Sequence, residues 1–255
     1  MGQSKASLDW YGSTLLRRVV GIVGRATGGP VVVVRPVGRS LPALPPGVEV
    51  VDDVCPGEGP LQALAAGLSA LEGRAGVAYA SATDAPLLHP AFVQLVCDRL
   101  DAGYSAAVPE VDGPHPLAAA YRTDLAPVAA ELVACGERSL RSLLDACRVR
   151  LLSDAGLRVA DAELRSLWNL NESGDYRRAR AEPLPRVFVE TGDLTVRGAS
   201  SRTIGASTLR QAAAAVGLEL SRVIGVLNRD RGHDDPELPL VDGDHVVFIA
   251  KESMS

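Results

Sequence analysis

Short β-branched segments alternate with helix-forming segments along the first two thirds of the chain. The runs PVVVVRP, GVEVVDD and GVAYASATD have the composition of strands, and TLLRRVVGIV and GPLQALAAGLSALEG each place apolar residues on one helical stripe. Alternation of this kind is typical of a largely parallel α/β sheet with helices on both faces. The sequence therefore predicts a three-layer, mostly parallel α/β domain, in which ligands bind beyond the carboxyl ends of the strands.

A second, smaller unit is predicted towards the C-terminal end. The composition changes at ARAEPLPRV, where Pro183 and Pro185 make a short, stiff linker. Beyond it, RVFVE, LTVRG, a helix in TLRQAAAAV, and the segments RVIGVLNRD and DGDHVVFIAK indicate two strands, a helix and two more strands. We therefore expect an α/β domain over residues 1–181, a linker over 182–186 and an α+β domain over 187–255.

Composition argues against several classes of partner. The net charge of −5 gives no reason to expect nucleic-acid binding. No apolar run approaches the roughly 20 residues of a membrane span, and no secretory signal pattern is present. The cysteines lie far apart, which predicts isolated buried thiols rather than a zinc site or a disulfide framework. We therefore expect a cytoplasmic protein without nucleic-acid or membrane partners.

Two aspartates stand where strands of the predicted sheet end. Asp84 closes GVAYASATD and is followed by Ala-Pro, and Asp53 closes GVEVVDD. A carboxylate at such a position can hold a divalent cation against phosphate oxygens, although it can equally form a turn or cap a helix. Gly59, Pro60 and Leu61 form either a tight turn into a helix N-terminus, where anions bind favourably, or part of an ordinary loop.

The chain contains only two lysines, and one of them lies at its start. Lys5 precedes the first predicted helix, and Lys251 lies near the other end. A lysine near the start of a chain is commonly a solvated surface residue, so Lys5 alone predicts no site. The sequence also lacks a Ser-His-Asp set, an HExxH pattern, a P-loop and GxGxxG.

Six short motifs nevertheless occur in the order and approximate spacing of a known family. The motifs MGQSKASLDWYGSTLLRRVV, VVDD with GEGPL, ATDAPLL, HPLAAAYR, GERSLRSLL and NLNESGDY resemble those of the molybdenum cofactor guanylyltransferases, and more broadly of the MobA-like nucleotidyltransferases. The resemblance covers residues 1–180. It implies a Rossmann-like domain that joins GMP from Mg²⁺-bound GTP to the terminal phosphate of molybdopterin and releases pyrophosphate.

The resemblance also implies roles for individual residues. Lys5 matches the family lysine that neutralises phosphate charge on GTP, and Asp84 matches the aspartate that holds Mg²⁺. Asp53 matches an acidic residue of the nucleotide site, with the turn Gly59–Leu61 beside it. Nucleotidyl transfer depends on charge neutralisation and positioning more than on covalent catalysis, which agrees with the absence of a nucleophile motif.

On the acceptor side, Asn169 and Asn171 match the family's Asn-x-Asn segment near the pterin, but Glu-Ser-Gly follows them in place of Thr-Pro-Glu. Arg35 replaces an asparagine that contacts the base in the family. Two alternatives therefore stay open. One is a cytidylyltransferase of the same superfamily, and the other is a non-catalytic scaffold that docks cofactor enzymes.

In the family pattern, a strand and a Leu-Ala-Gly-Gly-x-Ser-x-Arg loop come directly before Met-Gly-x-x-Lys. The printed sequence begins at this methionine. Either translation starts within the motif, or Met1 is an internal methionine of a longer reading frame. We favour the second interpretation, because a parallel sheet without a central strand exposes unpaired backbone groups. A true start at Met1 would weaken GTP binding, since the backbone amides of that loop cradle the phosphates.

The C-terminal unit resembles the ubiquitin-like β-grasp of the small subunit of molybdopterin synthase and of the thiamine sulfur carriers. The segments TLRQAAAAVGL and PLVDGDHVVFI carry this resemblance. Those carriers act through a terminal Gly-Gly, whereas this sequence ends in KESMS, which favours a docking or structural module. The implied partners are GTP and molybdopterin, with molybdoenzymes or other proteins of cofactor biosynthesis as candidates for the C-terminal unit.

Overall fold

A computed structural model describes residues 4–53, 59–191 and 200–251 and divides them into two compact units. The first unit contains the described residues up to Ser7 together with Leu15–Asn171. The second contains Leu8–Thr14 together with the described residues from Glu172 onward.

The described elements follow the predicted alternation. The strands are β1 (Asp9–Trp10), β2 (Ser13–Thr14), β3 (Val32–Pro36), β4 (Glu49–Asp53), β5 (Val77–Ser81), β6 (Ala106–Glu110), β7 (Ala118–Arg122), β8 (Val149–Ser153), β9 (Arg186–Thr191), β10 (Ser200–Gly205), β11 (Val223–Leu227), β12 (Gly232–His233) and β13 (His245–Ala250). The α-helices are α1 (Leu15–Thr27), α2 (Pro60–Leu71), α3 (Pro90–Asp98), α4 (Ala126–Ala134), α5 (Leu140–Asp145), α6 (Asp154–Leu157), α7 (Ser173–Ala181) and α8 (Leu209–Ala215).

The first unit confirms the α/β class. Its strands form a parallel pair, β3–β4, and a four-stranded sheet in the order β5-β7-β6-β8. Strand β7 is antiparallel to both of its neighbours, and β6 is parallel to β8. The predicted strand pair YSAAVPEVDG and HPLAAAYR is β6–β7. Among the described residues β3 and β5 share no ladder, so the strands form two hydrogen-bonded groups where the sequence led us to expect one sheet.

Helices pack on both faces of these strands. Helices α2, α4 and α5 enclose one core with the inward faces of β6 and β7, and Tyr121 is its largest fully buried side chain. The Tyr121 hydroxyl donates to the carbonyl oxygen of Pro116 at 2.8 Å, so burial leaves no unsatisfied donor there. Helix α3 packs against β5, β6 and β7, and it also contacts α1. Helices on both faces of the strands give the three-layer arrangement.

The start of α2 is fixed by a glycine. Gly59 has φ +98° and ψ 173°, a backbone conformation that is essentially restricted to glycine. Pro60 follows at the first helical position, where its missing N–H costs nothing. The Leu61 amide, which has no partner within the helix, donates to the Arg138 carbonyl oxygen at 3.3 Å. The predicted tight turn into a helix is therefore present, and it packs against the GERSL segment.

The second unit is a five-stranded mixed sheet in the order β10-β9-β13-β11-β12. Helix α8 packs on it through Leu209, Ala212 and Ala213, and the Thr208 hydroxyl caps the helix by accepting from the Gln211 amide. The predicted strand LTVRG lies outside the described residues, and β12 is a short addition to the two strands predicted after the helix. The mixed sheet with one packed helix is compatible with a β-grasp, which stays a prediction.

A short hairpin from the beginning of the chain belongs to this second unit. Strands β1 and β2 pair antiparallel, and Arg180 of α7 holds the hairpin. The Arg180 guanidinium pairs with Asp9 at 2.9 Å and lies 4.0 Å from the centre of the Tyr11 ring, and the Tyr11 hydroxyl donates to the Arg180 carbonyl oxygen at 2.9 Å. The contacts group α7 with the residues that follow it, whereas the sequence led us to expect α7 before the linker. The domain borders at residues 181 and 187 stay predictions.

Two further expectations concern cysteines and membranes. Cys135 is exposed, and Cys97 and Cys147 are partly buried, so the expectation of buried thiols is wrong for Cys135. Its position directly after α4, at the helix C-cap, explains the exposure. Cys55 lies outside the described residues. Among the described helices, none has both the length and the apolar character that crossing a bilayer demands.

We predict that Gly59→Ala lowers the free energy of unfolding by about 1–3 kcal/mol, because alanine is strained in this backbone conformation. An added Cβ would also lie 2.6 Å from the Arg138 carbonyl oxygen. Chemical denaturation measures the change. Gly29→Ala is the matched control, since a Cβ there meets nothing within 4 Å, and it should be neutral. Equal stabilities for the two variants would contradict the prediction.

Candidate active site

Lys5 and Asp84 meet in the first unit, although 79 positions separate them in the sequence. The Lys5 ammonium donates to the Asp84 carboxylate with an Nζ–Oδ2 distance of 2.6 Å. The Lys5 side chain is 38% exposed and the Asp84 side chain 15% exposed. Ion pairs at this level of exposure contribute little to folding, so the pair has no strong stabilising role. Its components are instead accessible to a charged ligand.

Helix α1 and the residues before it place Lys5. Lys5 begins a 3₁₀ turn that runs to Ser7. The next residue, Ala6, packs against the core cluster that Leu16 and Val20 of α1 form with Val33 of β3. A flexible lysine is thus attached to a backbone that is anchored one residue later.

Asp84 lies on the loop that follows β5, as the sequence predicts. The Ala82 amide makes the last bond beside β7, to the Leu117 carbonyl oxygen at 3.0 Å. Ala85 and Leu88 are buried on either side of a turn, and the Leu88 amide closes that turn on the Ala85 carbonyl oxygen at 3.2 Å. The carboxylate therefore projects from a loop whose following residues are fixed in the core.

The predicted acceptor segment contacts this loop. The amide of Leu170, which lies between Asn169 and Asn171, donates to the carbonyl oxygen of Asp84 at 2.9 Å. Leu170 is fully buried, whereas Asn171 is exposed and Asn169 is partly exposed. The structure thus brings the Asn-x-Asn segment beside the aspartate predicted to hold the metal ion.

The other predicted nucleotide residues lie around the end of β4. Asp53 is the last residue of β4 and is 7% exposed, and its carbonyl oxygen accepts from the Val37 amide at 3.2 Å. Gly59–Leu61 begins α2 on the other side of residues 54–58, which lie outside the described part of the chain. The proximity of Asp53 and this turn to the Lys5–Asp84 pair stays a prediction.

The residues present suit a cation that is shared with a ligand. Within the described ranges, no three His, Cys, Asp or Glu side chains gather as a metal site. Mg²⁺ commonly binds through one or two carboxylates, with substrate phosphates and water as the remaining ligands. Asp84 fits this role because its carboxylate is partly exposed, although the Lys5 ammonium that now pairs with it would have to give way to the ion. Asp84 would therefore hold Mg²⁺ only together with a phosphate-bearing ligand.

Cys97 is not suited to thiol chemistry. Burial, with a smaller contribution from the neighbouring Asp98, raises the pKa of Cys97 to about 11. The thiolate is the nucleophilic form, so Cys97 is unreactive at neutral pH. This agrees with the absence of a nucleophile motif from the sequence.

The sequence did not single out Arg18, which the structure places under the Asp84 loop. Arg18 is 4% exposed, and its Nε donates to the carbonyl oxygen of Pro86 at 2.6 Å. The signal is visible afterwards: in TLLRRVVGIV, Arg18 falls on the buried face of the helix, between Leu15 and Ile22. A charged residue at an inward position needs a buried polar partner.

Comparisons with known proteins agree with this geometry. Residues 1–152 match the family model of the MobA-like NTP transferase domain. A protein of Mycobacterium bovis named as a "probable molybdenum cofactor guanylyltransferase" is 40% identical over 177 residues, which cover 68% of this chain and 83% of that protein. A protein of Mycobacterium avium with the same name is 36% identical over 181 residues, covering 69% and 87% of the two chains.

A solved structure shows the same fold. The molybdopterin-guanine dinucleotide biosynthesis protein A of Archaeoglobus fulgidus superimposes with a TM-score of 0.57 at 24% identity, covering 70% of this chain and 89% of that one. The match to the family model extends over more than half of the chain and includes both Lys5 and Asp84. This chain belongs to the MobA-like NTP transferase family.

Proposed function

We propose that the protein transfers GMP from Mg²⁺-bound GTP to molybdopterin and releases pyrophosphate. The contact between Lys5 and Asp84 carries the proposal, because it joins the two groups that such a reaction needs in one accessible place. The names of the two mycobacterial relatives, at 40% and 36% identity, support the choice of substrates.

In this reaction, an oxygen of the terminal phosphate of the acceptor attacks the α-phosphorus of GTP. A new P–O bond forms, and the bond from the α-phosphorus to the bridging oxygen of the β-phosphate breaks. Pyrophosphate departs with the electron pair. Negative charge accumulates on the phosphate oxygens as this bond breaks, so fixed positive charge accelerates the step.

Lys5 and Asp84 would exchange partners when the nucleotide binds. In their present contact each neutralises the other, which avoids an isolated charge in the half-buried loop. A triphosphate is a stronger partner for the ammonium than one carboxylate. Asp84, released from Lys5, would hold Mg²⁺, and the ion would supply Lewis-acid stabilisation of the phosphate charge.

The acceptor is assigned to the side of the Asp84 loop where Asn169 and Asn171 lie. The Leu170–Asp84 backbone bond ties the two segments together, so a molybdopterin phosphate bound by the asparagines would face the nucleotide. The side-chain amides of Asn169 and Asn171 can donate to phosphate oxygens or pair with the pterin ring. Asp53 and Gly59–Leu61 are assigned to the nucleotide.

A docking role is assigned to the second unit. The β-grasp resemblance carried by TLRQAAAAVGL and PLVDGDHVVFI suggests a surface for molybdoenzymes or other proteins of cofactor biosynthesis. The mixed sheet with α8 on one face is compatible with such a fold.

We expect Asp84→Asn to lower metal-dependent GMP transfer at least about 100-fold, because the amide keeps the shape but loses the charge that binds Mg²⁺. Steady-state assays at varied Mg²⁺ measure the loss, and thermal unfolding verifies the fold. Asp101→Asn is the matched control: Asp101 also pairs with a cation, Arg150, at 2.5 Å. The control should retain parental activity. Undiminished turnover in Asp84→Asn would remove Asp84 from the mechanism.

Lys5→Met should lower kcat/KM for GTP by about 100-fold, since it removes one charge that stabilises the phosphates. Lys5→Arg should recover part of the loss, because it restores a cation at a similar reach. The second lysine of the chain offers the control: Lys251→Met should leave kcat/KM unchanged. Equal losses in Lys5→Met and Lys251→Met would contradict a specific role for Lys5.

Nucleotide preference separates the proposal from its enzymatic alternative, a cytidylyltransferase. Arg35 stands where the family has a base-contacting asparagine, and its Nε bonds Asp52 across the β3–β4 pair at 2.7 Å. Because this bond engages the guanidinium, we expect other groups to select guanine. Calorimetric titration with Mg²⁺-GTP and Mg²⁺-CTP should show tighter GTP binding. A clear preference for CTP would support the alternative.

A further inference from the structure

Helix α1 contacts both the segment that carries Lys5 and the loop that carries Asp84. On one side, Leu16 and Val20 belong to the core cluster against which Ala6, the residue after Lys5, packs. On another, Arg18 of the same helical turn bonds Pro86, two residues after Asp84. One rigid element therefore sets the positions of two backbone segments whose side chains meet at 2.6 Å.

The Arg18 contact is unusual because it is buried. A guanidinium that is 4% exposed loses most of its hydration, and it is tolerated only where polar partners replace the water. The Nε–oxygen distance of 2.6 Å to Pro86 is short even for a charge-assisted hydrogen bond. Proline has no N–H, so its carbonyl oxygen is the backbone group through which this residue can be hydrogen-bonded.

Three successive carbonyl groups of the Asp84 loop are held in this way. The Asp84 oxygen accepts from the Leu170 amide, and the Ala85 oxygen accepts from the Leu88 amide. The Pro86 oxygen accepts from Arg18. The first two donors are backbone groups, which substitution does not remove. Arg18 supplies the one side-chain donor of the three.

We propose that Arg18 is a positioning residue, which holds the Asp84 loop through the Pro86 carbonyl oxygen and thereby fixes the carboxylate opposite Lys5. Its effect on the loop is independent of the reaction, whereas its effect on catalysis rests on the proposed function. Displacement of a catalytic group by about 1 Å can cost up to about 100-fold in rate. Loss of this donor should therefore reduce turnover without removing any group that touches the substrate.

Two substitutions separate the donor from the rest of the side chain. In Arg18→Gln, the amide nitrogen occupies the same bonded position as Nε, so a donor to Pro86 is kept while the charge is lost. In Arg18→Met, a methyl group occupies that position and the charge is lost as well. The comparison of the two variants therefore isolates the hydrogen bond. Arg17→Met is the control on the same helix, since Arg17 bonds the Ala43 carbonyl oxygen, outside the Asp84 loop.

Hydrogen exchange of the Leu88 and Leu170 amides measures the loop directly, in the full chain and without substrate. Arg18→Met should raise both exchange rates about fivefold or more, and Arg18→Gln and Arg17→Met should leave them near the parental rates. In GMP-transfer assays, Arg18→Met should lower kcat about tenfold with KM for GTP within about twofold, and Arg18→Gln should stay within about threefold of the parent.

Equal behaviour of the Gln and Met variants in both measurements would overturn the proposal. A parent that turns over no GTP, while Arg18→Met still raises the two exchange rates, would refute the proposed function and leave the loop restraint standing. If thermal unfolding shows that Arg18→Met is unfolded, Arg18→Gln alone decides: parental exchange at Leu88 and Leu170 supports the proposal, and increased exchange overturns it.

Discussion

An ion pair between an ammonium and a carboxylate, such as the one at 2.6 Å here, forms easily and adds little to stability when both groups are partly exposed. The surrounding contacts are of another kind, because they are buried. Ala6 packs against α1. The amides of Leu170 and Leu88 donate to two carbonyl oxygens of the Asp84 loop, and a buried guanidinium donates to the next carbonyl oxygen. The interior of the first unit thus fixes the backbone beside each of the two charged groups, and the charged groups themselves remain accessible at the surface.

This arrangement matches the chemistry of nucleotidyl transfer. The reaction needs no protein nucleophile, and the partly buried thiol of Cys97 is kept in its unreactive form. It needs opposite charges that are available to a metal ion and a polyphosphate, and that do not repel each other before the ligand arrives. A mutually neutralised pair on a restrained loop meets both needs.

Local patterns predicted much of this from the sequence. Continuous apolar runs located β3, β4 and β5, and Asp84 stood out because a strand ends before it. The role of Lys5 was predicted only from the family resemblance, because the residues around it do not indicate a site. The contacts that joined distant segments were not predictable, because they involve backbone groups such as the Leu170 amide or a guanidinium within an apolar stripe. The division of the described strands of the first unit into two hydrogen-bonded groups was also missed, since composition indicates a strand but does not identify its neighbours.

Because of the hairpin of β1 and β2, the chain alternates between the two units. The chain passes from Lys5 into the second unit, returns at α1 and re-enters the second unit only at Glu172. Trp10, which is 2% exposed, is covered there by contacts that include Tyr176 of α7. A chain shortened to end at Asn171 would lose this cover and leave an indole in water a few residues from Lys5. The hairpin also depends on residues well beyond α7, because the Ser13 hydroxyl donates to the Glu237 carboxylate at 2.9 Å, so truncation of the second unit also removes partners of the first residues of the chain.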